Sequence, residues 1–241
     1  MMIGYSLSLV VPAYNEESRI EAVALNYASS FPEAEIIVVC NGCVDNTLSI
    51  ASRLSDGHRN IRALNFKEKI GKGGAIIEGF KTAQGDIIGF VDADESTSPE
   101  DVARMLNAMT DKEDGVIASR KLKDSRILVK QPLLRRLASK AFNIMVRLMF
   151  GLKFRDTQCG AKVFRKEAIK TVLPQLKTGG FEFDIELLWK LKLRGYRIIE
   201  FPITWRHSEG STFSLSHAPR MFCSLMRMRF SSQKPLKPDI T

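Results

Sequence analysis

The sequence predicts an α/β domain whose mostly parallel sheet carries helices on both faces. Three observations lead there. Short apolar, β-branched runs alternate with stretches of helical composition through the first 120 residues. The helical segments between runs are about 10 to 15 residues long, which suits crossover helices and not hairpins. A chain of 241 residues is also long enough to bury one such core.

Leu7 to Val11 is the first predicted strand, ended by Pro12, and Glu16 to Ser30 has helical composition. Glu35 to Val39 is the second strand, and Asp45-Asn46-Thr47 opens a helix with Asp45 as its N-cap. Ile61 to Asn65 is a short strand, Gly73 to Ala83 a helix, and Asp86 to Val91 a fourth strand that stops on Asp92. Ser98 caps the next helix with Pro99 at its first position, and Val116 to Ala118 reads as another strand.

The second half is less regular. Pro132 to Phe150 reads as an amphipathic helix, basic early and apolar late. Asp156 to Gly160 is a polar turn before a short strand around Val163. Glu182 to Arg194 carries an apolar stripe (Ile185, Leu187, Leu188, Leu191) and is ended by Gly195. Ile198 to Trp205 is a strand interrupted by Pro202. In the tail, Met221, Phe222, Leu225, Met226, Met228 and Phe230 interleave with Arg220, Arg227 and Arg229.

The net charge of +9 is divided unevenly. Residues 1–119 hold 10 Lys/Arg against 18 Asp/Glu, net −8, and residues 120–241 hold 26 against 9, net +17. A basic half usually faces an anion. No helix-turn-helix, zinc-finger or RNA-binding aromatic signature is present, so a phosphorylated substrate or a phospholipid surface is expected and nucleic acid is not. The longest apolar stretch, Ala141 to Leu152, carries Arg147 and falls short of the roughly 20 apolar residues a spanning helix needs. With a strand starting near the N-terminus in place of a signal-peptide layout, a cytoplasmic protein peripheral to a membrane is expected. Cysteines stand at 40, 43, 159 and 223, too few for a disulfide scaffold, so a reducing compartment is expected. Cys40 and Cys43 have redox-pair spacing, but a zinc site needs four ligands and no second pair lies nearby.

In parallel sheets ligands bind at the carboxyl ends of the strands. Those ends read Pro12-Ala13-Tyr14-Asn15-Glu16, Cys40-Asn41-Gly42, Asp92-Ala93-Asp94 and Ser119-Arg120. Asp92 and Asp94, two residues apart after an apolar strand, can face one cation. Mg²⁺ suits such a site, since it takes one or two carboxylates plus phosphate oxygens and water. The alternative is a pair of turn or N-cap aspartates, because a helix starts six residues later.

The surrounding motifs bear on that choice. Val10-Val11-Pro12-Ala13-Tyr14-Asn15-Glu16-Glu17 resembles the opening strand and turn of the family-2 glycosyltransferases. Asn41-Gly42-Cys43-Val44-Asp45-Asn46-Thr47 is similar to that family's second motif. Gly71-Lys72-Gly73-Gly74-Ala75 and Ala83-Gln84-Gly85-Asp86 match the stretch before its Asp-x-Asp, and Asp92-Ala93-Asp94 is the common form of that motif. Asp156 to Phe164, Phe181 to Leu188, Glu200 to Trp205 and Gly210-Ser211 resemble the dolichyl- and polyprenyl-phosphate branch that transfers glucose or mannose.

The resemblance implies a GT-A fold, with a Rossmann-like, mostly parallel sheet. It implies one domain over residues 1–215, with a nucleotide-sugar and metal half (1–119) and an acceptor half (120–215), followed by a basic amphipathic tail (216–241). It implies that Pro12, Tyr14, Glu16, Asn41, Lys72, Asp92, Ala93 and Asp94 bind the nucleotide sugar, and that Asp92 and Asp94 hold Mg²⁺ or Mn²⁺. Asn41 stands where the family usually has an Asp, and an amide can accept from uracil N3–H and donate to O4, so a uridine nucleotide is favoured over a guanosine one. Lys72 lies outside any Walker loop, the required spacing being absent. Arg120, Arg206 and Ser211 would hold an acceptor phosphate. Thr212 replaces a lysine common in that branch, and His207 reads as a surface residue.

The expected reaction is inverting, metal-dependent transfer of a hexose, glucose before mannose, to a polyprenyl phosphate at a membrane surface. Asp94 and Arg120 would be its catalytic residues. A hydroxyl acceptor would instead need a base, for which Asp184 is the candidate ahead of Glu182 or Glu186. The 132–150 helix and the tail would rest on an anionic membrane, with core packing or a homodimer contact as alternatives. A sugar nucleotidyltransferase is disfavoured because its glycine-rich loop after the first strand is missing. The alternative of another class is a nucleotide-sugar-binding module without activity.

Overall fold

A computed structural model describes residues 5–128, 133–205 and 218–231. Its seven-stranded sheet is built from β1 (Leu7–Ala13), β2 (Glu35–Asn41), β3 (Ile61–Phe66), β4 (Ile87–Val91), β5 (Gly115–Ser119), β7 (Ala161–Arg165) and β8 (Ile198–Pro202) in the order β3-β2-β1-β4-β7-β5-β8. All neighbours are parallel except β7, which runs antiparallel to both β4 and β5. The helices are α1 (Ile20–Ser30), α2 (Thr47–Gly57), α3 (Gly71–Thr82), α4 (Pro99–Ala108), α5 (Leu133–Phe150), α6 (Lys166–Val172), α7 (Phe183–Leu193) and α8 (Ala218–Ser231). Two short strands, β6 (Arg126–Ile127) and β9 (Thr204–Trp205), pair separately.

Alternation along the strands divides the core into two layers. Leu9 and Val11 of β1 and Ile36 and Val38 of β2 meet Ile20, Val23 and Tyr27 of α1 and Val102 and Met105 of α4. Val10, Ile37 and Val39 face the other way, onto Ile76 and Phe80 of α3 and Phe183 and Leu188 of α7. Phe80, Phe90 and Phe183 meet as tilted and edge-on rings 6.1–6.5 Å apart.

Three local expectations change. Pro12 does not end β1: the strand runs to Ala13, and Pro12 lies beyond the last β1–β4 pair, where it is paired on one side only. Asp45 precedes the N-cap of α2, which is Asn46, yet its carboxylate still accepts from the Thr47 N–H and hydroxyl. Pro202 splits the 198–205 run into two strands of different sheets, β8 beside β5 and β9 beside β6. Ser98 and Pro99 start α4 as read, with Ser98 Oγ accepting from Asp101 N at 3.2 Å. The apolar stripes of α5 and α8 are partly core: Val146, Phe150, Leu225 and Met228 are buried on the α3–α7 side.

Candidate active site

The loops after β1 and β2 are stitched together. Asn15, in the left-handed region, accepts from Val44 N at 2.9 Å through its side chain, and Thr47 Oγ1 accepts from Glu16 N at 2.7 Å. Asn41 is buried in the seam. Its Nδ2 donates to the Ala13 carbonyl at 2.9 Å, and because a carbonyl can only accept, that bond turns Oδ1 the other way. Oδ1 is buried and has no partner, one of two such side-chain atoms among the described residues. A buried acceptor without a donor is costly, so its presence at a strand end marks a place for a ligand N–H. Lys69 Nζ lies 3.5 Å from the centre of the Tyr14 ring, leaving a cation-backed aromatic face beside it.

The end of β4 carries the acidic pair. Asp92 N donates to the Gly160 carbonyl at 3.0 Å, and Asp92 Oδ1 lies 2.6 Å from Lys72 Nζ. A Cβ at Gly160 would fall on Asp92 Oδ2, so this glycine makes the room in which the carboxylate stands. Gly160→Ala is therefore expected to push Asp92 out of line and, with Asp92 as a metal ligand as proposed below, to weaken Mn²⁺ binding by about tenfold, read by calorimetry, with far-UV circular dichroism unchanged. Asp94 Oδ1 accepts from Ser96 N at 3.0 Å, which leaves its other oxygen open. Glu16 is close enough to feel both aspartates. Burial raises its pKa, Arg19 opposes this through an ion pair, and Asp94 and Asp92 raise it further. Among the described residues no three His, Cys, Asp or Glu side chains are grouped to hold a metal. Two carboxylates that wait for phosphate oxygens and water do fit Mg²⁺ or Mn²⁺.

Lys72 sits in the first turn of α3, whose Gly73 N–H donates to the Gly179 carbonyl at 2.9 Å. Gly71 has φ +78° and packs directly on that carbonyl, a place with no room for a side chain. Burial works to lower the pKa of Lys72, but Asp92, and then Asp184, hold it above the ordinary lysine value.

Arg120 does not stand free at the end of β5. Its Nε and Nη2 bond both oxygens of Asp156 at 2.7 and 2.9 Å, and its backbone N–H adds a third contact. Burial would raise the Asp156 pKa, but Arg120 overcomes this and holds the carboxyl well below the usual carboxylate range. The guanidinium also lies over Trp205, 5.4 Å from the ring centre. Next to it, Lys121 Nζ is 3.2 Å from Ser139 Oγ, with Asn143 and Gln158 lining the same small hollow. Burial lowers the Lys121 pKa, with Asp156 opposing and Arg120 adding to the effect.

Asp184 lies under the site. It is buried at the start of α7, with its Oδ1 2.5 Å from the fully buried ammonium of Lys162. Pro12, Tyr14, Glu16, Asn41, Lys72, Asp92, Ala93 and Asp94 all sit at the carboxyl ends of β1, β2 and β4 or at the start of α3. Arg206, Ser211, His207 and Thr212 lie outside the described residues. Reading residues singly missed Asp156, Gly160, Lys162, Lys121 and Ser139. Only Lys162, a charge inside an apolar strand, carried a signal of its own. The four cysteines are free thiols, and burial pushes Cys40 up to about 12, well away from a reactive thiolate.

With this geometry in place, comparison with known proteins is direct. The family described as Glycosyl transferase family 2 matches residues 8–173. The chain is 30% identical over 233 residues to the dolichyl-phosphate beta-glucosyltransferase of Saccharomyces cerevisiae, covering 87% of this chain and 70% of that one. It is 33% identical over 209 residues to glycosyltransferase AglD of Haloferax volcanii, covering 84% of this chain but only 33% of AglD. The fold resembles glucosyl-3-phosphoglycerate synthase of Mycobacterium tuberculosis, crystallised with Mn²⁺, UDP and phosphoglyceric acid, with a TM-score of 0.69 at 20% identity over 94% of this chain and 78% of that one. The sheet and its flanking helices are thus those of the GT-A fold, and the chain belongs to glycosyl transferase family 2.

Proposed function

We propose that this glycosyltransferase moves glucose, with mannose next in preference, from a uridine diphosphate sugar to a polyprenyl or dolichyl phosphate with inversion. The observation that supports the choice of acceptor is the engagement of Asp184, Glu186 and Glu182, the three candidate bases. Asp184 is paired with Lys162. Glu186 accepts from Lys177 N, Thr178 N and Thr178 Oγ1 at 2.7–3.0 Å. Glu182 accepts from Ser224 Oγ at 2.9 Å. A hydroxyl acceptor needs a base to take its proton, whereas a phosphate monoester is already ionised near neutral pH. The neighbouring names agree with this reading, since dolichyl-phosphate glucosyltransferases align over most of the chain.

In this reading Asn41 Oδ1 accepts the N3–H of uracil and Tyr14 lies along the base and ribose. An acceptor phosphate oxygen attacks the anomeric carbon from the face opposite the diphosphate, and the sugar–phosphate bond breaks as the new one forms. A divalent ion held by Asp92 and Asp94 would neutralise the charge gathering on the leaving diphosphate. Lys121, Ser139 and the remaining N–H groups of Arg120 would hold the acceptor phosphate; Arg206 and Ser211, outside the described residues, are proposed to join them from the sequence. Arg120 acts chiefly as a fixed wall, since Asp156 takes its fork.

No described helix is long and apolar enough to cross a membrane. Ile144 and Leu148 stand one turn apart on α5, 54% and 80% exposed, and Phe222 and Phe230 of α8 are exposed as well. Apolar side chains among basic ones suit the surface of an anionic membrane at its cytoplasmic face, where a lipid phosphate is presented; a homodimer contact is the other use.

Turnover should be measured with UDP-glucose, UDP-galactose and GDP-mannose against a polyprenyl phosphate in anionic or neutral vesicles, with and without Mn²⁺. The expected result is glucose transfer from the uridine donor that requires metal and is fastest on anionic vesicles. UDP should also bind at least about tenfold more tightly than GDP, the value of one buried hydrogen bond to a base. Tighter GDP binding would end the uridine reading, and transfer to a lipid hydroxyl but not a phosphate would end the acceptor reading. Absence of any turnover would favour a binding module.

A further inference from the structure

Lys72 is poorly placed for the helix that bears it. A cation in the first turn of a helix opposes the helix dipole, and α3 has no acidic residue there to offset it. Its ammonium is committed to Asp92 Oδ1, 2.6 Å away. The second oxygen of Asp92 lies where a Cβ at Gly160 would stand, and Oδ1, which Lys72 holds, is an oxygen for which a divalent ion would compete. The two side chains are 19% and 26% exposed, open enough for a small ion to enter and for the amine to leave. The backbone of α3 stays fixed through Gly179, so movement is confined to the four-carbon stem.

We infer that Lys72 is a tethered cation that occupies the metal's place on Asp92 until donor and metal arrive together, and that it then exchanges onto the donor diphosphate. The inference rests on the metal-dependent reading above and deepens it. In the empty protein the acidic pair is half neutralised from within, so a divalent ion alone competes with Lys72 and binds weakly. When a diphosphate is present it offers the displaced ammonium a new partner, and metal and nucleotide then bind with positive coupling. By reciprocity each tightens the other by the same factor. Lys72 is thus a positioning residue for the metal and a contact for the donor, with opposite effects on the two ligands.

The test is Mn²⁺ binding, followed by electron paramagnetic resonance or calorimetry, in the wild type, Lys72→Met and Lys72→Arg, each with and without UDP. Methionine keeps the length of the stem and removes the charge. Lys72→Met is expected to bind Mn²⁺ alone about tenfold more tightly than the wild type, because a competing unit charge is gone. The tightening of Mn²⁺ by UDP should fall by about the same factor, while UDP affinity at saturating Mn²⁺ weakens. Lys72→Arg should keep the wild-type pattern. Circular dichroism of the unliganded proteins controls for folding, and in an Asp92→Asn background Lys72→Met should no longer alter Mn²⁺ affinity. If wild type and Lys72→Met bind Mn²⁺ alone equally, or the variant binds it less well, the exchange is overturned while the metal-dependent reading stands. If the wild type with UDP binds no Mn²⁺, both fall.

Discussion

Asp94→Asn is expected to reduce sugar transfer by about a thousandfold or more while leaving thermal unfolding unchanged. The asymmetry follows from what each oxygen of Asp94 does. Oδ1 accepts from the Ser96 N–H, a bond that an asparagine oxygen makes equally well, so the turn before α4 is kept. The carboxylate has no ion-pair partner among the described residues, so no buried cation is stranded by its loss. What disappears is the negative charge that would hold a divalent ion against the leaving diphosphate. Asp92→Asn is a poorer probe, because it also releases Lys72. Steady-state rates at rising Mn²⁺ concentration are the measurement. A variant that keeps a tenth or more of wild-type turnover at all concentrations would remove Asp94 from the catalytic machinery.

The largest effect on stability is expected at Lys162, the fully buried second residue of β7. Its ammonium donates to Asp184 Oδ1 at 2.5 Å and to the Cys159 carbonyl at 2.6 Å. Lys162→Met leaves the buried Asp184 carboxylate without its ion-pair partner, and the cost of breaking a buried pair from one side is about 3–5 kcal/mol. Total stability of a domain is about 5–15 kcal/mol, so this single change takes a large share of it. Removing both charges, as Lys162→Met with Asp184→Leu, is expected to recover most of the loss, since a well-packed apolar pair carries no desolvation penalty. Urea denaturation of the two variants decides the matter. If the double variant is no more stable than the single one, the pair contributes more than mutual neutralisation.

The common rim of the proposed donor side was legible in the sequence for a physical reason. In parallel strands, turn residues and side chains with chemistry collect at one end, so Tyr14, Asn41 and Asp92 could be placed on a common rim from their positions after apolar runs. The helix start at Ser98-Pro99 was equally plain, because capping is local chemistry. What was not legible depends on pairing across long sequence distances. Nothing near Arg120 says that Asp156 will take both its donors. Nothing near Asp184 says that a lysine two elements earlier will bury itself against it, and a carboxylate at the head of a helix invites the reading of a base. Gly160 shows the same limit: the need for a glycine there is set by Asp92, on another strand. Pro12 and Pro202 separate the two regimes. Each was seen as an interruption, but only the strand order shows that one is tolerated and the other hands the chain from β8 to β9.

The insertion of β7 between β4 and β5 bears on how such an enzyme is made and how it can be rebuilt. The acidic motif is complete in the chain at Asp94, yet the carbonyl that anchors Asp92 belongs to Gly160, and β4, paired with β1 on one side, gains its second neighbour only through the pairs from Ile87↔Arg165 to Val91↔Ala161. A nascent chain therefore carries these two carboxylates beside an open edge of β4 until β7 leaves the ribosome. For the same reason, a recombinant hybrid cut at the acidic–basic boundary near residue 119 would exchange more than an acceptor surface. It would also replace β7, which pairs with β4, and the Gly160 carbonyl that anchors Asp92, so the proposed donor and acceptor sides are expected to change together.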